Sequence, residues 1–219
     1  MKVKEISKGL FLYTFPNQFE LCHTFFRLQE FYESPIKQVR GKYFTYEDVI
    51  TYYAYDQKEK PAFTYFSDWN GFNVPGNVVD KFHEEFDSNF TTKELLMLNA
   101  IPYGRGYDYY LIGVVEGQEE TMRHEVAHGF YYLNKKYKRE MNKLLKQLPK
   151  QMVDRFKKEL KKCGYCKQVM KDEIHAYLST GLRNGMVSVL DYSMHWHLIQ
   201  AFEKTFDSYY KEIKDEKII

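Results

Sequence analysis

The stretch that decides the reading is Tyr107-Asp108-Tyr109-Tyr110-Leu111-Ile112-Gly113-Val114-Val115, followed nine residues later by His124-Glu125-Val126-Ala127-His128. The first run is aromatic and β-branched and reads as a strand, set off by Gly104-Arg105-Gly106. From about Gln118 the pattern turns helical, runs through Asn134 and on to Leu148, and stops at Pro149. Histidines four apart on a helix project from one face about a turn apart, so His124 and His128 can offer two imidazoles to a single ion. Glu125 is rotated onto the flank, where it can reach a water on that ion without displacing it, as a general base must. Zinc suits such a site, because it brings the pKa of bound water down to about 7 and polarises a carbonyl.

A catalytic zinc needs a third protein ligand and one open position. A later helix, from about Gln168 to Ser179 and closed by Gly181, supplies Asp172, Glu173 and His175 as candidates. Glu173 and His175 lie on different faces of it, so only one of them can point inward.

The pairing of His124-Glu125-Val126-Ala127-His128 with Asp172-Glu173-Ile174-His175-Ala176 resembles the gluzincins, the thermolysin-like superfamily of zinc metallopeptidases. The resemblance covers residues 107 to 180 at most. It implies Zn2+ held by His124, His128 and Glu173, with Glu125 as base and proton shuttle in peptide hydrolysis. It implies a zincin-like fold in which the 107–115 strand is an edge along which an extended peptide lies. It also implies a Tyr or His donor to the oxyanion, for which Tyr192, His195 and His197 are the downstream candidates. Two features depart from the family. The gap between His128 and Glu173 holds 44 residues, and Tyr177 stands where some gluzincins carry an acidic residue that orients a metal histidine. Asp172 is the candidate for that orienting role.

Ahead of this region, strand-like and helix-like stretches alternate. A strand is expected over Leu10 to Phe15 and a helix from Asn17 to Glu33, ended by Ser34-Pro35. Thr45 with Asp48, and Thr91 with Glu94, mark helix starts. Asn70-Gly71 between aromatic flanks in 62–76 signals a hairpin, whose aromatics fit a core better than a cleft. The fold class expected is α+β and mostly helical, with a small mixed sheet. At 219 residues this is one domain, with an N-terminal lobe to about 106 and a motif-bearing helical lobe over 107–219.

Composition narrows the function classes. Hydrophobic residues make up 44% and aromatics 18%, which supplies a core and excludes a disordered chain. No run of 18 apolar residues exists, so no helix is expected to span a membrane. Cys22, Cys163 and Cys166 are an odd set in a chain too large to need disulfide staples, which points to a reducing, cytoplasmic setting. Cys163 and Cys166, with no second pair, read as a turn with two reduced thiols. The net charge of +2 hides an asymmetry, since 135–171 carries +11 and the rest −9. That basic segment reads first as a solvated helix face. The leading expectation is therefore a zinc metallopeptidase acting on a peptide or protein. The alternatives are a zinc hydrolase of a non-peptide bond, and a nucleic-acid-binding protein that uses the basic segment and carries a closed, four-ligand structural zinc.

Overall fold

The structure is a computed structural model that describes all residues except 57–61, 88, 102–106, 182–191 and 216–219, and in addition no side chains at 56, 192–194 and 214–215. Gly104-Arg105-Gly106 thus lies outside the described residues. The chain divides into two compact units, Met1–Met122 and Arg123–Ile219. The division falls later than the 106/107 boundary expected, because the strand that precedes the His-Glu-x-x-His helix hydrogen-bonds into the sheet of the first unit.

That sheet holds β1 (Lys2–Ser7), β2 (Leu10–Phe15), β3 (Gly71–Pro75) and β4 (Tyr110–Val115), in the order β1-β2-β4-β3. β1 and β2 pair antiparallel, β2 and β4 parallel, and β3 and β4 antiparallel, so the sheet is mixed. β4 is not the edge strand that the resemblance implies. Its run is buried almost throughout, as a strand covered on both faces must be. The edges fall to chains better suited to exposure: β1 presents Lys2, Lys4 and Glu5 to solvent, and β3 ends in Pro75.

Four helices of this unit are α1 (Gln18–Glu33), α2 (Tyr46–Asp56), α4 (Gly76–Phe86) and α5 (Thr92–Asn99), with one turn, α3 (Tyr65–Asp68), before β3. α3 replaces the first arm of the expected hairpin, so Asn70-Gly71 leads into a single strand that pairs with β4. The caps at Thr45 and Thr91 fall where the sequence puts them, and Asn17 adds one that it did not mark. Asn17 accepts from the Glu20 amide, Thr45 and Asp48 bond reciprocally, and Thr91 with Glu94 forms a full capping box. The aromatics build a core, in which Phe25, Phe26, Tyr65, Phe72, Phe82 and Phe86 are fully or almost fully buried. α1 lies directly on the sheet, since a Cβ on Gly113 would come 2.5 Å from the Phe25 ring. Glu94 also pairs with buried Arg27, whose Nε donates to Oε1 at 2.8 Å.

α6 (Glu119–Leu133) begins in the first unit and continues in the second, which also holds α7 (Lys135–Leu145), α8 (Lys150–Lys162), α9 (Met170–Thr180) and α10 (Tyr192–Asp215). The single helix expected from 118 to 148 is two. Asn134 leaves helical geometry and its side chain accepts from the Lys136 and Tyr137 amides, which ends α6 and starts α7. α9 packs against α8 and α10, around Phe130, Tyr137, Phe156, Ile174, Leu178 and Phe206. Arg123 pairs with Asp207 of α10 at 2.6 Å, lying over the Phe206 and Tyr210 rings. No described helix is long and apolar enough to cross a membrane.

Candidate metal centre

Each ligand candidate is placed by helical spacing. On α6, His124 and His128 lie a turn apart, their rings edge-on with centroids 4.9 Å apart. On α9, Glu173, Tyr177 and Thr180 follow at steps of four and three and so share a stripe. His124, His128 and Glu173 are all at least 96% buried, and together they form the group of described residues able to hold a metal ion.

The distances decide what this group can hold. His124 Nε2 lies 3.3 Å from His128 Nε2, and the Glu173 carboxylate places Oε2 3.6 Å from the first and Oε1 3.5 Å from the second. Donors bound tetrahedrally at the zinc distances of 2.0 to 2.2 Å sit about 3.3 to 3.6 Å apart; the two nitrogens already have that spacing, and each has its own oxygen of the Glu173 carboxylate at a similar reach. Two imidazole nitrogens and one carboxylate oxygen are also the donor types that zinc takes. The residues present fit the ion.

The outer partners explain why both Nε2 atoms turn inward. The Thr180 hydroxyl donates to the Ala176 carbonyl at 2.8 Å, which leaves its oxygen to accept from His124 Nδ1 at 3.3 Å. Tyr177 packs on the His124 ring at 4.7 Å. Asp172 Oδ2 lies 3.1 Å from His128 Nδ1, an ion-pair contact that holds the proton on that nitrogen. Asp172 thus occupies the orienting position that Tyr177 leaves vacant in the motif. Its other oxygen meets His175 Nδ1 at 3.1 Å.

Charge is strongly coupled here. Burial by itself would lower the pKa of His128, but Asp172 and Glu173, with Glu125, outweigh it and push the imidazole up to about 10. With Nδ1–H committed to Asp172, the extra proton of the ion-free protein sits on Nε2, facing His124 and Glu173. Burial likewise opposes ionisation of Asp172, yet His128 and His175 hold its carboxyl well below the usual range. Burial lowers the pKa of His175 against the pull of Asp172, which keeps this ring neutral.

Glu125 is 4% exposed on α6, next in the chain to His124. His175 is fully buried, and its Nε2 faces the Tyr137 hydroxyl at 2.8 Å, so it is turned away from the ligand group. His195 lies half-buried on the first turn of α10 and, among the described residues, makes no hydrogen bond or ring contact with that group. Tyr192 begins α10, and its side chain lies outside the described residues. His197 is exposed, against Trp196.

Two residues of the site escape sequence reading. Thr180 could have been found from its place seven residues after Glu173, whereas Tyr137 carries no local signal. Cys163 is exposed, Cys166 buried, and both are free thiols. All fourteen Lys and Arg side chains of 135–171 are exposed, and one of them, Lys162, makes an ion pair, with Glu159. Against known protein families, curated proteins and solved structures, the chain gives no match.

Proposed function

We propose that the protein is a zinc-dependent hydrolase, and that peptide bonds are its substrate. The observation that carries the first part is the inward pair of Nε2 atoms 3.3 Å apart, each faced by one oxygen of the Glu173 carboxylate at 3.5 to 3.6 Å, with the other nitrogen of each histidine facing an outer partner. His124, His128 and Glu173 would hold the ion, which supplies an acidified water and a polarised carbonyl when bound. Glu125 takes the proton of the attacking water and returns it to the departing amine, which is why it must sit beside the ligands without being one. A closed structural site needs four protein ligands, and the described residues bring three, since Asp172 serves His128 from outside. This favours a site with a position left open for chemistry.

Peptide as substrate rests on the resemblance of the two motifs to the gluzincins. Main-chain pairing along β4 is no part of the proposal, because both sides of that strand are taken by β2 and β3. The test is Glu125→Gln, assayed for zinc content and for digestion of a peptide library. Zinc should stay bound while cleavage falls by about 10² to 10⁴, the usual worth of a positioned general base. Cleavage at the wild-type rate in that variant would sink the peptidase reading.

A further inference from the structure

We propose that His175 is a positioning residue for the metal centre: anchored by Tyr137 and bridged by Asp172, it fixes the orientation and tautomer of the ligand His128. The inference rests on the reading of His124, His128 and Glu173 as a metal site, and extends it by two residues that the ligand motif does not contain.

The argument is one of hydrogen-bond direction. An ionised carboxylate can only accept, so Asp172, with Oδ1 3.1 Å from His175 Nδ1 and Oδ2 3.1 Å from His128 Nδ1, requires a proton on both nitrogens. His175 Nδ1 is also 3.2 Å from the Asp172 carbonyl oxygen, a second acceptor with the same demand. A neutral His175 with its proton on Nδ1 has a lone pair on Nε2, and the Tyr137 hydroxyl, 2.8 Å away, donates to it. The chain therefore has two directed hydrogen bonds, Tyr137 O–H to His175 Nε2 and His175 Nδ1–H to Asp172 Oδ1, and ends in the ion-pair contact between Asp172 Oδ2 and His128 Nδ1. With that proton fixed on Nδ1, Nε2 is the nitrogen of His128 left to face Glu173 and His124, and the one available to an ion.

His175 earns its place in this chain by what it denies Asp172. Asp172 is a half-buried side chain, and without His175 it would offer either oxygen to His128 or to water. With Oδ1 held by His175, Oδ2 is the oxygen left for the ligand. His175 cannot swing away, because it is fully buried, stacked on Tyr131 at 4.5 Å and set edge-on to Tyr137. The path runs from α7 through α9 to α6, so it ties the ligand on one helix to packing on two others.

The experiment compares zinc affinity, by competition with a chromogenic chelator, and the visible absorption of the Co2+-loaded protein across wild type, His175→Leu, His175→Gln and Tyr137→Phe. His175→Leu should weaken zinc about tenfold, the lower end of what losing an outer partner costs, and should shift the cobalt bands. His175→Gln should restore most of the affinity, since its amide can donate to Asp172 and accept from Tyr137, a recovery that filling the space alone would not give. Tyr137→Phe, which removes one oxygen from an otherwise intact core, should show a smaller loss of the same kind, and carries the test if the leucine variant does not fold. Wild-type affinity and spectrum in Tyr137→Phe and in the His175 variants, or equal losses in His175→Gln and His175→Leu, would overturn the positioning role while leaving the metal site standing. Failure of the wild type to bind either metal would overturn the metal site and this inference with it.

Discussion

His128 meets opposing demands, because the acids that would bind an ion with it also hold a proton on it. In the ion-free protein its pKa lies near about 10, so at neutral pH an entering ion must expel that proton. The same shift stabilises the ion-free fold by a contribution that is complete below about 6.5 and is lost as pH rises through about 10. Zinc affinity should therefore climb about tenfold per pH unit between pH 6 and 8, with about one proton released per ion. Calorimetry in buffers of different ionisation enthalpy reads both quantities, and an affinity flat across that range would show that no proton is displaced. At this scale the sequence was most legible where chemistry restricts residue type. His124, His128 and Glu173, the group able to hold an ion, can be named from the chain by type and helical spacing, and Asp172 stands next to one of them. Thr180 and Tyr137 contribute one oxygen each, and a hydroxyl gives no sign of its partner until the helices are packed.

Elements were read well where they carry their own end signals and less well where tertiary context overrides pattern. Asn17, Thr45 and Thr91 each open a helix as their side chains require. β1 went unread because an edge strand that shows lysines and glutamate to solvent has little hydrophobic alternation. β4 was read as a strand but assigned to an edge, although its continuous apolar run already favours an inner position. The break between α6 and α7 is a sharper case, since apolar spacing continues across it and only the Asn134 cap divides the two. Asn134→Ala should lower stability by about 1 kcal/mol, while Asn134→Asp, which keeps the accepting oxygen, should stay close to wild type. Denaturant midpoints at unchanged slope would measure the difference. An alanine variant as stable as wild type would mean that packing alone sets the break.

Across the whole molecule, the two units divide the labour. The first builds its core from rings around a mixed sheet, and the second supplies every residue of the candidate metal centre. Composition foretold the aromatic core, and the basic segment lies on the solvent side of α7, α8 and the start of α9. The division between units was less legible, because α6 runs through it and neither glycine nor proline stands beside Met122 and Arg123 to mark it. The placement of the site predicts how an ion should act on stability. An ion that binds only the folded state, at a hundred times its dissociation constant, contributes about 2.7 kcal/mol. Its ligands bridge α6 and α9, so the openings it suppresses are those that separate these two helices. Amide hydrogen exchange with zinc and with a chelator should show added protection in residues 124–133 and 170–180, and unchanged protection in β1 to β4. An equal gain in the sheet would mean that the two units open as one, and protection unaltered in both helices would mean that the ion binds elsewhere.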